Sequence, residues 1–180
     1  NPVIVNTEGM SPDFRDPKVM WYEPASLWVM AVAGPERIEF WSSANLIDWQ
    51  FESCFGEGKG AHGGEWECPD LRYMPIDSNS GKRAWVLIVS VNPGGPNGGC
   101  GTQYFIGDFA EIDGKFTFSS QQSEVKWLDW GMDNYAGVGW TNLEGSKFGD
   151  RVFSIGWMNN WIYAYKTPTS QWRGVMTMIR

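Results

Sequence analysis

Apolar and polar positions alternate in short runs along this chain, and turn formers bound each run. "SLWVMAVAG" (26–34), "RIEFWSS" (37–43), "RAWVLIVSV" (83–91), "TQYFIGDF" (102–109) and "RVFSIGW" (151–157) carry the two-residue period of half-buried strands. No stretch sustains a 3.6-residue period. The pattern predicts an all-β protein.

The runs fall into groups. The first opens at 13–20, continues through 26–34 and 37–43, and ends near 48–55. The second opens at "EWECPDLRYM" (65–74), runs through 83–91 and 102–109, and ends near 114–120. The third opens around "DNYAGVGW" (133–140), passes through 151–157 and reaches "WRGVMTMIR" (172–180). Each opener carries an acid, with 51 residues from Asp16 to Glu67 and 66 from Glu67 to Asp133. Antiparallel four-strand units at such spacing suggest propeller blades, with an irregular sandwich as the competing architecture. In a propeller the first strand of each blade lines the central channel, so acids on successive openers would converge on one pocket.

Composition narrows the function. The 180 residues include 12 Trp, 10 Phe, 6 Tyr, 22 Gly and 10 Pro, which suits strands with frequent turns and supplies rings that can stack on sugars. The formal charge is −7 and the 14 Lys and Arg are dispersed, which argues against a nucleic-acid partner. No apolar run is long enough to cross a membrane as a helix. The N-terminal residues lack the basic start and apolar core of a secretion signal, leaving a cytosolic chain or a removed leader as the expectations. Cys54, Cys68 and Cys100 fit neither a zinc pattern nor a disulfide framework and are expected to be buried or half-buried free thiols.

Several segments carry candidate chemistry. Asp16, in "FRDP", follows Arg15, which would keep it ionised to bind hydroxyls or stabilise positive charge; a turn ion pair is the alternative. Glu67 lies between Trp66 and the stiff Cys68-Pro69 pair, and desolvation by Trp66 would raise its proton affinity toward that of a general acid. Cys68, next to that acid, is a poor nucleophile. Asp129 and Asp133 share a D-x-x-x-D spacing without the oxygen density of a calcium loop. "DSNSG" (77–81) suits a hairpin turn. "NPGGPNGGCG" (92–101) suits a long inter-strand loop, with no Lys-Ser/Thr to make it a phosphate cradle. His62, the single histidine, has no nucleophile elbow to serve. Asn159, Asn160 and Trp161 could offer amides and a ring face to a polyhydroxylated ligand, or form a packed turn.

Taken together, "NPVI", "FRDPKV", "SANLIDWQF", "HGGEWECPDL", "VSVNPGGPNGGCGTQYFIGDF", "WLDWGMDNYAGVGW" and "IGWMNNWIYAYKTPTSQWRG" resemble glycoside hydrolase family 32 over nearly the whole chain. These are the invertases, inulinases and levanases that cut β-fructofuranosides. The resemblance implies β-propeller blades, about three of a five-bladed ring, divided as 1–60 (blade three), 61–125 (blade four) and 126–180 (blade five). It implies Glu67 as general acid/base and Asp16 as transition-state stabiliser. Arg15, Trp161, Cys68 and Asp133 are implied around the sugar. No metal or cofactor is expected. The implied ligand is a fructan or sucrose-type carbohydrate, met outside the cytoplasm or in the periplasm.

One departure stands out. The family's nucleophile is an aspartate in a "WMNDPNG"-type motif, and no such motif occurs here; "WMNN" (157–160) is no substitute, since Asn160 sits where a carboxylate would be needed and the context is the last blade. The chain alone is therefore expected to be inactive and to need the missing blades or a second chain. A fructan-binding module, a pseudoenzyme and a fructosyltransferase fragment remain the alternatives.

Overall fold

The computed structural model describes residues 2–7, 11–77, 81–140, 143, 147–148 and 151–180. Among them are twelve strands and two single-turn 3₁₀ segments, and all strand pairing is antiparallel. The first sheet is β1 (Arg15–Tyr22), β2 (Leu27–Gly34), β3 (Arg37–Ser43) and β4 (Gln50–Phe55), in that spatial order. The second is β5 (Glu65–Pro75), β6 (Arg83–Asn92), β7 (Gly101–Ile112) and β8 (Lys115–Ser119). The third is β10 (Tyr135–Gly139), β11 (Ser154–Met158) and β12 (Val175–Met176).

The alternation placed the strands of the first two sheets closely. It placed the third group less well. The short strand β9 (Lys126–Trp127) pairs with β7, so the second sheet continues past the expected boundary at 125. β10 starts at Tyr135, leaving Asp133 in the bend before it. β12 is two residues long, although backbone bonds of Thr177 to Gly156 and of Arg180 to Ser154 carry its line along β11 to the end of the segment. The hairpin turn expected at 77–81 has Ser78, Asn79 and Ser80 outside the described residues, as is Asn1 of the "NPVI" segment.

The first two sheets share an aromatic core. Phe40 and Phe109 rings lie 5.3 Å apart, and Phe55 meets Phe105 and Phe118 edge-on at 4.9 Å each. Tyr22 packs on Phe109 at 5.3 Å and donates its hydroxyl to Phe109 O at 3.1 Å. Ring pairs at these offsets contribute beyond simple burial, and the buried hydroxyl has the partner it needs.

The openers of the three sheets are built alike. Between Arg15 and Lys18, between Glu67 and Asp70, and between Tyr135 and Val138, two residues of the opener face one of the neighbouring strand, which is a β-bulge. The residue after each first position lies in the left-handed region: Asp16 at φ 59°, Cys68 at 49° and Ala136 at 51°. For residues with a Cβ this conformation costs about 1–2 kcal/mol, so the surroundings must enforce it three times over. Pro17 and Pro69, which lack an N–H for the ladder, fit at a bulge on a sheet's edge. Arg15, Glu67 and Tyr135 thus occupy equivalent places, as do Asp16, Cys68 and Ala136. The three openers contact one another through side chains, as the inner strands of adjacent propeller blades do.

Candidate active site

Arg15, Glu67 and Tyr135 form one hydrogen-bonded chain across the three sheets. Arg15 donates from Nη2 to Glu67 Oε1 at 3.1 Å and from Nε to the same oxygen at 3.3 Å. Its Nη1 holds Asp13 Oδ1 at 2.5 Å. Tyr135 donates its hydroxyl to Glu67 Oε2. The arginine's proton affinity is raised above its already high value by the bond to Asp13 first and then by Glu67, against an opposing effect of burial. The Tyr135 phenol is pushed well above its ordinary value, by burial first and then by its bond to Glu67. It remains a neutral hydroxyl.

Asp16 comes to the same place through the backbone. Its Oδ2 accepts the Cys68 N–H at 3.0 Å and the Cys68 thiol at 3.6 Å. The left-handed turn at Cys68 aims that N–H at the neighbouring sheet. Among the described residues, Oδ1 of Asp16 takes no hydrogen bond from the protein, so it is available to a ligand hydroxyl. The Cys68 thiol is pushed up to about 12, by burial first and then by Asp16. Burial leads, and the acidic neighbourhood read from the sequence adds to it.

Trp66 is not the neighbour of the Glu67 carboxyl that adjacency in the sequence suggested. Strand alternation turns Trp66 to the opposite face, into the core, where it is 1% exposed, stacks on His62 at 5.2 Å and donates Nε1 to Ala61 O at 2.9 Å. Trp66 does not wall the carboxylate; Arg15 and Tyr135 do. A hydroxyl suits both states of that carboxyl, since it can donate to the anion and accept from the acid.

Asp133, expected on an opener, is exposed and accepts the Tyr163 hydroxyl. Matching acids by spacing aligned it wrongly, because the bulge puts Tyr135 in register with Glu67. Asp129 takes Gly131 N–H at 2.6 Å, Asn134 at 3.3 Å and Arg180 at 2.8 Å, and Arg180 holds its carboxyl below the usual range. The two aspartates turn to separate partners, and no cluster of three metal-binding side chains occurs among the described residues.

Asn160 takes the second of the two readings that the sequence left open, the packed turn. It is fully buried, and its amide serves the protein: Oδ1 accepts Ile162 N–H at 3.0 Å and Cys100 N–H at 3.4 Å, while Nδ2 donates to Met132 O at 2.9 Å. Asn159 is buried as well. Both side chains organise the turn that carries Trp161, whose N–H meets the Cys100 sulfur at 3.3 Å and whose ring is partly exposed against Trp157 at 4.8 Å. Of the three free cysteines Cys54 is exposed, contrary to expectation, Cys68 half-buried and Cys100 buried.

Tyr135, Asp13 and Lys18 were missed from sequence. The signal that finds Tyr135 is the repeated tripeptide Arg-Asp-Pro, Glu-Cys-Pro, Tyr-Ala-Gly at 15–17, 67–69 and 135–137, read as a bulge and not as a row of acids.

Known proteins share this arrangement of sequence and fold. Residues 1–180 match the Glycosyl hydrolases family 32 N-terminal domain. The chain is 45% identical over 181 residues to a levanase of Bacillus subtilis (strain 168), covering all of this chain and 26% of that protein. It is 41% identical over 195 residues to an extracellular exo-inulinase of Aspergillus awamori, covering all of this chain and 34% of that one. A fructofuranosidase of Schwanniomyces occidentalis complexed with fructose superposes with a TM-score of 0.85 at 38% identity, over 99% of this chain and 33% of that chain. The chain therefore spans about a quarter to a third of these relatives' length.

Proposed function

The chain belongs to glycosyl hydrolase family 32, and from that premise we propose that it is the acid/base part of a retaining glycosidase acting on terminal β-fructofuranosides of levan, inulin or sucrose. The observation that carries the proposal is the Glu67 carboxyl suspended between Arg15 and Tyr135, with Asp16 fastened one residue away on the Cys68 amide. Glu67 gives its proton to the leaving glycosidic oxygen and then takes one from the attacking water. Asp16, whose Oδ1 takes no hydrogen bond among the described residues, grips fructose hydroxyls and favours positive charge developing on the ring. Arg15 holds Glu67 in place, and Trp161 offers a ring face to the sugar.

The retaining mechanism needs a second carboxylate about 5 Å from the first, across the sugar. No "WMNDPNG"-type segment is present in these 180 residues, so the nucleophile comes from further chain or from a second one. The isolated segment is then inactive, since losing one member of a catalytic pair removes several orders of magnitude in rate. Relatives named as extracellular exo-inulinases support action outside the cytoplasm.

The decisive experiment measures fructose release from levan, inulin and sucrose by the complete protein that carries these residues, with and without Glu67→Gln. The substitution should lower kcat by about 10²–10⁴-fold and leave fructan binding intact. Turnover that survives it would overturn the assignment. Binding without any turnover in the unsubstituted protein would make this a fructan-binding module.

A further inference from the structure

Asp70 and Arg72 lie on one face of β5, beyond its bulge, and are 1% and 7% exposed. Arg72 closes on Asp70 twice, Nε to Oδ1 at 2.8 Å and Nη2 to Oδ2 at 3.0 Å. The guanidinium also donates from Nη1 to Trp140 O at 2.6 Å and from Nη2 to Gly139 O. Asp70 Oδ2 accepts the Gly139 N–H at 2.8 Å, and Lys18 of β1 adds its Nζ to Gly139 O at 2.9 Å. A Cβ on Gly139 would sit 2.8 Å from Nη2 and 3.0 Å from Cζ of Arg72, so this residue is bare where the guanidinium lies against it. One residue at the end of β10 is thus held from both other sheets.

A buried ion pair adds little net stability over a well-packed apolar pair; what it can add is direction. β10 runs from Tyr135 to Gly139, with the left-handed bulge between them. At one end Tyr135 meets Glu67, and at the other Gly139 is clamped. We propose that Asp70 and Arg72 are positioning residues: by fixing Gly139 they set how β10 lies on β5, and so keep the Tyr135 hydroxyl on the Glu67 carboxyl. The catalytic consequence rests on Glu67 being the acid/base, whereas the placement of Tyr135 does not.

Two variants of the complete protein test this. Asp70→Leu with Arg72→Met removes both charges and leaves neither buried alone; Gly139→Ala keeps both and displaces the guanidinium. Tyr135 is followed by the ¹³Cζ resonance of labelled tyrosine, assigned with Tyr135→Phe, and kcat and KM are measured for fructose release. In each variant the Tyr135 resonance should move toward that of a solvated tyrosine, and kcat should fall by about tenfold with KM little changed. Adding Tyr135→Phe should lower kcat no further, because the residues act through one contact. Folded variants with an unmoved Tyr135 resonance, or losses that multiply with Tyr135→Phe, would overturn the proposal. So would failure of both variants to fold, which would make the pair a folding element. An unsubstituted protein that releases no fructose would defeat the proposed function while the resonance still decides the placement.

Discussion

The seam between the first and second sheets and the seam between the second and third are made of different materials. The continuous buried core runs from Tyr22 to Phe118 and takes no residue from the third sheet. The third sheet is held by directed polar contacts: Tyr135 on Glu67, Ala136 N–H on Ser90 Oγ at 3.2 Å, Thr102 on Asn134 O at 3.1 Å, and the Asp70–Arg72 clamp on Gly139. Val138, Met158, Val175 and Met176 of that sheet remain exposed. Apolar contact is non-directional and tolerates small sliding, whereas a hydrogen bond loses strength within a few tenths of an ångström. The first seam supplies cohesion; the second places the partner of Glu67. A site shared by both needs both.

The comparison can be broken most forcefully at the core. Phe105→Ala, at a side chain 1% exposed, should cost about 3–5 kcal/mol in urea unfolding and speed amide exchange in the first two sheets together. Arg72→Met, which strands the Asp70 charge, should cost about 3 kcal/mol and accelerate exchange first in β10 to β12, with β2 and β6 little affected. Equal acceleration everywhere would show that the two seams are one cooperative unit. Tyr135→Phe is gentler, about 1–2 kcal/mol, because it removes one buried donor to a carboxyl and keeps the ring. Urea midpoints for the three variants, measured in parallel, should fall in that order.

Legibility from sequence follows the same division. The strands of the first two sheets were plain in the alternation because each has one face in a common core, which forces the two-residue period. The third sheet lacks that core, so its strands are short and their limits were misjudged. At the candidate site, Glu67 and Asp16 stood out in the sequence by their motifs, and the structure brings them within one residue of each other through the Cys68 amide. Tyr135 did not stand out, because a phenol two residues past an aspartate carries no acid signal and its place depends on the bulge register. For Asn160 a ligand amide and a packed turn both stayed open, because its buried partners come from segments 28 and 60 residues away. The clamp on Gly139 was invisible for the same reason: its acceptors are backbone carbonyls, which every residue has.

The effect that is smallest at neutral pH concerns Cys68, whose backbone ties the first seam to Asp16. Its thiol is pushed from an ordinary value near 9 up to about 12, so the folded state prefers the protonated form more than the unfolded chain does. A folded value above the unfolded one means that the contribution is complete below pH 9 and is lost as the pH rises from about 9 to about 12. Tyr135 moves the same way, so total stability alone cannot apportion the loss. The difference in unfolding free energy between the unsubstituted chain and Cys68→Ser can, because the hydroxyl keeps a donor for Asp16 and does not titrate in that window. That difference should be constant from pH 7 to 9 and shift steadily against the thiol above it. A flat difference up to pH 11 would mean that the thiol is as free in the folded chain as in the unfolded one, and that Asp16 is held by the Cys68 amide alone.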